Sequence, residues 1–226
     1  KEKLDCNPYL KGKTVALVGQ SGSGKSTLVD LLPRFWDVEE GEILIDGTPI
    51  GDFSQESLRR HISVVSQETV LFNDTIANNI AVNTDHIDLE RLRHAVMVAN
   101  IREFIDSLPL GYNTKIGMEG NGISQGQRQR LLIARAVYKN PEYLFFDEAT
   151  NALDANNEKE IMEKLDEFYK GKTVVVVAHR LSTVKNADKI VVLDKGKVAE
   201  EGSHSELTAR KGLYYQLVKN QLELGN

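Results

Sequence analysis

The stretch GQSGSGKST, residues 19–27, decides how this chain reads. It follows TVALV at 14–18, a β-branched apolar run expected to be a buried strand. It runs into a segment expected to be helical from about 25 to 35. Within it, Gly19 to Ser26 fits the pattern G-x-x-x-x-G-K-S, placed between a strand and a helix as a phosphate-binding loop requires. Gly22 and Gly24 let the backbone curl so that its N–H groups face inward. The helix N-terminus adds positive partial charge. Lys25 would reach β- and γ-phosphates, and the Ser26 hydroxyl would ligate Mg²⁺. Gly19, Ser21, Ser23 and Thr27 complete the expected nucleotide-binding set. A glycine- and serine-rich turn before an unrelated helix is the plainer reading, and the flanking strand and helix weigh against it.

Outward from that loop, short apolar runs at 143–147 (YLFFD), 173–178 (TVVVVA) and 189–194 (KIVVLD) read as further strands. Shorter candidates lie at 42–46 and 62–65. Helical patterns fall at about 88–106, 125–138, 157–169 and 212–222, with a loop-like stretch at 111–122. Apolar strands alternating with helices imply a mostly parallel sheet covered on both faces. The expected fold is an α/β P-loop NTPase, RecA-like, with antiparallel β elements. Its core spans about 1–67 and 140–226, and an α-helical subdomain is inserted at about 68–139.

Composition narrows the function classes. The chain has 226 residues, 41% hydrophobic and 27% charged, ordinary for a globular domain. Its 28 Lys and Arg against 33 Asp and Glu give a net charge of −5, which argues against nucleic acid as the main partner. The single cysteine, Cys6, allows no intrachain disulfide. No apolar run approaches the roughly 20 residues of a membrane helix. The chain opens at Lys1 rather than methionine, so a fragment of something longer is expected.

Acids and polar residues cluster at strand ends, where open α/β sheets bind ligands. Asp147 closes YLFFD and would hold Mg²⁺, usually through water. Glu148 points another way and would accept a proton from an attacking water. His179 follows TVVVVA. A lone histidine is more often structural, and its position alone leaves both readings open. Gln67 stands after ISVVS, equally a surface amide or a contact to metal-bound water. Farther along, NGISQGQRQR at 121–130 reads as a capped helix start: Ser124 is the N-cap, with Gln127 three residues on as its capping-box partner.

Taken together, these residues resemble the nucleotide-binding domain of an ABC transporter, over nearly the whole chain and in the family's order. GQSGSGKST resembles Walker A, Ser66–Gln67 the Q-loop, and YLFFDE at 143–148 Walker B with its catalytic glutamate. NALD at 151–154 resembles the D-loop, AHR at 178–180 the switch histidine, and ISQGQ at 123–127 stands in place of LSGGQ. The resemblance implies an ATPase using ATP and Mg²⁺, with Glu148, His179 and Gln67 catalytic and Ser26, Gln67 and Asp147 at the metal. It implies two such domains closing head to tail, with Ser124, Gly126, Gln127 and Asp154 meeting the partner's nucleotide. It implies an exporter, attached to a transmembrane domain upstream of this chain and sited at the cytoplasmic face of the membrane. The second half looks like peptide exporters and the first as much like lipid or drug exporters. A soluble P-loop kinase, or an ABC-type ATPase acting on DNA or ribosomes, are the other classes. The kinase reading does not explain ISQGQ and NALD, and a single cassette with no sustained heptad tract and an acidic balance weighs against the DNA- or ribosome-acting class.

Three departures from the family pattern stand out. The aromatic that stacks on adenine belongs upstream of Walker A, and Tyr9 is too close to the loop to serve. Gly117 is followed by Met118 before Glu119 where Gly-Glu is usual. Gln125 replaces the first glycine of the signature pair. As the first helical residue Gln125 needs no positive φ, so the site is expected to tolerate it, with the side chain directed away from phosphate.

Overall fold

A computed structural model of the protein describes residues 4–6, 12–66, 69–117, 122–147, 155–178 and 184–223. The chain divides into two compact units. The first holds Lys1–Val64, Glu142–Glu148 and Gly171–Asn226; the second holds Val65–Pro141 and Ala149–Lys170.

The first unit is built on the apolar strands. Strands β1 (Leu4–Cys6), β2 (Thr14–Val18), β3 (Ile43–Ile45), β4 (Thr48–Pro49) and β5 (Ile62–Ser66) precede β8 (Tyr143–Asp147), β9 (Thr173–Val177), β10 (Lys189–Asp194) and β11 (Lys197–Gly202). The main sheet runs in the order β11-β10-β2-β9-β8-β5. β2 pairs in parallel with β10 on one side and β9 on the other, and β9 in parallel with β8. The antiparallel elements are the β10–β11 hairpin and the β3–β4 ribbon.

Alternation along β2 feeds two cores. Ala16 and Val18 join Ile190, Val192, Leu207 and Tyr214, the last two from helices α8 (His204–Arg210) and α9 (Leu213–Glu223). Leu17, pointing oppositely, joins Val29 and Leu32 beside helix α1 (Lys25–Leu31), Leu58 of α2 (Gln55–His61), Phe145 and Val177. A strand buried on both faces and paired on both edges is well suited to deliver a functional loop rigidly. Helix α1 is four residues shorter than expected. Pro33 offers no N–H to the ladder. Arg34 turns left-handed at φ 54°, and the Phe35 and Arg34 amides fold back onto the Asp30 and Leu31 carbonyls at 3.2 and 3.1 Å.

The second unit is mostly helical. It contains α3 (Ile76–Ile80), α4 (Leu89–Val98), α5 (Arg102–Ser107), α6 (Gln125–Lys139) and α7 (Ala155–Tyr169), with one short antiparallel ribbon, β6 (Asp74–Thr75) with β7 (Lys115–Ile116). The stretch expected to be one helix over 88–106 is two. Asn100 adopts φ 51°, and the Ile101 and Asn100 amides return to the Val96 and Met97 carbonyls at 3.2 and 3.1 Å. The same left-handed stop, at Asn140 with φ 54°, ends α6 before Pro141. The expected loop at 111–122 holds β7 and a single 3₁₀ turn at Gly111–Asn113. Among the described residues no helix is long and apolar enough to cross a membrane.

Asn79, with no exposed surface, organises the loop entering this unit. Its amide nitrogen donates to the carbonyls of Phe72 (2.9 Å) and Thr75 (3.0 Å), and its oxygen accepts from the Phe72 N–H at 2.7 Å. Arg135 of α6 donates to the Asn79 and Val70 carbonyls at 2.8 and 3.1 Å and stacks on the Phe72 ring. Burial lowers the Arg135 guanidinium to about 10, which leaves it charged at neutral pH. Asn79→Leu removes the acceptor of the Phe72 N–H and the donor shared by the Phe72, Asp74 and Thr75 carbonyls, so a loss of about 3 kcal/mol is expected from urea unfolding. An unchanged midpoint would show that these bonds are not what holds the loop.

Candidate functional site

The chain leaves β2 at Gly19, and the loop to α1 is braced from two directions. The Ser23 amide bonds the Gln20 carbonyl at 3.1 Å, and the Gly196 amide in the β10–β11 turn donates to the Ser23 carbonyl at 3.1 Å. A Cβ on Gly19 would lie 2.3 Å from the Leu193 carbonyl oxygen and 2.6 Å from Ser23 Oγ, so the loop passes through a gap that admits no side chain. Gly22 and Gly24 take φ 77° and 97°, the left-handed backbone that the curl needs. Ser23 and Lys25 are buried, whereas Ser21, Gly22, Ser26 and Thr27 are exposed along the loop and first helical turn.

Lys25 is only 6% exposed and its ammonium sits inside the curl. Nζ donates to the Gly19 carbonyl at 2.8 Å, the Gln20 carbonyl at 2.9 Å and Ser23 Oγ at 3.3 Å. These neutral oxygens are acceptors of the kind that phosphate oxygens supply more strongly. The loop thus fits a phosphate ligand on two counts: a cradle too tight for a Cβ, and a buried cation held by exchangeable acceptors.

The other candidate residues follow strand ends. Asp147, partly buried, is the last residue of β8, in register with Val177 of β9, whose own neighbour is Leu17 of β2. Its carboxylate therefore comes from the same end of the sheet as the loop, two strands over. α1, which bears Ser26, packs against β8. A hydroxyl and a carboxylate are hard oxygen donors that suit Mg²⁺ completed by phosphate oxygens and water. Among the described residues no group of three His, Cys, Asp or Glu gathers as a self-sufficient metal cage. Glu148, His179 and Gln67 follow β8, β9 and β5 in the chain, within two residues of each strand's last residue, and lie outside the described residues, as does Asp154.

In the second unit, α6 opens with the capping box that its sequence predicts. Ser124 Oγ accepts from the Gln127 amide at 3.2 Å, and the Ser124 amide donates to Gln127 Oε1 at 2.8 Å. Gln127 thus turns its carboxamide back on its own helix start. Gly126 lies on the first turn, and Gln125 is exposed as the first helical residue, without a positive φ. Sequence reasoning missed the bracing by Leu193 and Gly196. The Asp194–Gly196 turn signal marks a hairpin but carries no trace of what the hairpin touches. It also missed the α6 arginines that bond distant carbonyls.

The profile of the ABC transporter family matches residues 8–151. The chain belongs to the ABC transporter family. Over 210 residues, 93% of this chain, it is 54% identical to an ATP-dependent lipid A-core flippase of Saccharophagus degradans. A protein of the same description from Hahella chejuensis is 54% identical over 211 residues, again 93% of the chain. The chain spans 36% of the length of each of these curated relatives. Among solved structures, a bacterial Atm1-family ABC exporter with ATP bound superposes with a TM-score of 0.90 at 46% identity, over 93% of this chain and 37% of that one. The ABC transporter family, the α/β fold with its mostly parallel sheet, and the likeness to exporters all agree with the expectation from the motifs. Gly19→Ala is expected to force the loop off Leu193 and cost about 1–3 kcal/mol, read by denaturant titration, with ATP affinity falling alongside. Wild-type stability and affinity in that variant would mean the gap is wider than the geometry requires.

Proposed function

We propose that this chain is the ATP-hydrolysing motor domain of a membrane exporter, one ABC ATPase domain of an α/β core and a helical subdomain, with α7, expected in the core, falling in the second unit. The observation that carries it is the buried Lys25 ammonium, held by loop oxygens within a cradle closed to side chains. The likeness to lipid A-core flippases and to an ATP-bound exporter supports the same reading, and favours a lipid over a peptide as cargo.

In this reading the amides of 21–27 bind the phosphates, and Lys25 exchanges its carbonyl partners for β- and γ-phosphate oxygens. Ser26, Asp147 and Gln67 would hold Mg²⁺, which would supply positive charge against the negative charge developing on the phosphates. Glu148 accepts the proton of the attacking water and His179 keeps the γ-phosphate in line. A second copy docks head to tail, so that its Ser124 hydroxyl and Gly126 amide, with Gln127 and Asp154, complete the site. The capped start of α6 suits this, because it presents N–H groups and the positive end of a helix dipole to an anion. An upstream transmembrane domain places the motor at the cytoplasmic face of the membrane. The net charge of −5 argues against nucleic acid as a partner.

Three outcomes test the proposal. Glu148→Gln should lower phosphate release roughly a hundred- to ten-thousand-fold while a fluorescent ATP analogue still binds; ordinary turnover in that variant removes Glu148 from the role of base. Specific ATPase activity of the unaltered chain should rise with protein concentration, and a chain fully active while monomeric would refute the shared site. Gln125→Gly should change that activity little, since the first helical position makes no demand that only glycine meets.

A further inference from the structure

The second unit contains a junction that neither capping nor packing needs in full. At Asn100 the chain turns left-handed between α4 and α5, a conformation that glycine would adopt as readily. Both polar ends of this residue are nevertheless engaged by other helices. Its carbonyl accepts from Arg130 Nη1 of α6 at 3.0 Å, and its side-chain oxygen accepts from Lys164 Nζ of α7 at 3.1 Å. Arg130 also places Nε 3.3 Å from the Gly126 carbonyl. The peptide joining Gly126 to Gln127 is thereby held on both sides, its oxygen by Arg130 and its N–H by Ser124 Oγ. On α7, Ile161 and Leu165 are at most 1% exposed, so Lys164 projects from a firmly seated helix.

Of the two helices joined through Asn100, α6 carries at its leading end residues proposed to meet a partner's nucleotide. α6 begins immediately after Ser124, and α7 begins immediately after Asp154 in the chain. We propose that Asn100 is a positioning residue that, through Arg130 and Lys164, fixes the start of α6 against α7, so that Ser124 and Gly126 are held in place to engage a second chain's ATP. This rests on the function proposed above. It assigns the side chain of Asn100 a task distinct from its backbone turn, since the amide oxygen accepts from Lys164 of α7.

The full chain permits a test that separates turn from link. Asn100→Gly keeps the left-handed backbone and the carbonyl for Arg130 but deletes the acceptor for Lys164. Lys164→Met deletes the donor and keeps the stem, and Lys164→Arg keeps a donor. Hydrogen exchange by mass spectrometry should show the amides of 127–130 exchanging roughly three- to tenfold faster in the first two variants, near the parent rate in Lys164→Arg, and no faster in the Asn100→Gly/Lys164→Met double variant than in either single one. The protein concentration giving half-maximal ATPase activity should rise by a similar factor, with nucleotide affinity of the single chain unchanged. Unchanged exchange at 127–130, or an acceleration spread evenly over the whole unit, overturns the proposal. Faster local exchange in a family of variants whose parent hydrolyses no ATP upholds the Asn100 link and overturns the ATPase reading instead.

Discussion

The chain leaves its central strand through a gap that admits backbone only. With the Leu193 carbonyl 2.3 Å from where a Cβ would stand, any side chain at Gly19 forces the backbone to shift. That constraint depends on the register of three strands. β2 is locked between β9 and β10, and the β10–β11 hairpin supplies both the obstructing carbonyl and the Gly196 amide that grips Ser23. Lys25 then folds back into the curl, where burial would disfavour its charge were the Gly19 and Gln20 carbonyls not turned toward it. A lysine held this way is preorganised, its ammonium already fixed in place by neutral acceptors.

The second unit solves a different problem by different means. Its helices are short, apart from α6 and α7, and its loops are held by arginines bonded to backbone carbonyls. Arg128 donates to the Thr69 carbonyl at 3.1 Å and Arg135 to the Val70 and Asn79 carbonyls, while Arg130 takes Asn100. Guanidinium suits this work because its planar fork serves several acceptors at once and stays charged when partly buried.

How far all this was legible depended on where each signal resides. Strands β2, β8, β9 and β10 are written as apolar runs because both of their faces are buried, and the runs marked them within a residue. β1, β4, β6 and β7 are two or three residues long and carry no period to find. The break at Asn100 was hidden because Ile101 and Ile105 continue the apolar spacing of α4, both only 1% exposed, so the hydrophobic pattern runs on while the backbone turns. At the site, GQSGSGKST and Asp147 were legible because their chemistry lies in residue type and spacing. The bracing by Leu193 and Gly196 was not, because a main-chain contact between segments far apart in sequence leaves no mark on side-chain identity.

The same reasoning explains why the α6 arginines looked generic. Arg128 and Arg135 are seven residues apart, about two turns of helix, so they share a face and reach neighbouring carbonyls of one loop. Arg130 points nearly opposite and reaches Asn100. A carbonyl is offered by every residue, so these grips by themselves place no demand on the side chains at Thr69 and Val70. The specificity lies in the angular positions of the arginines on one helix, and that helix is the one whose first turn carries Ser124 and Gly126. The start of α6 is thereby tied to the Thr69 and Val70 carbonyls through one face of the helix and to the α4–α5 junction through the other.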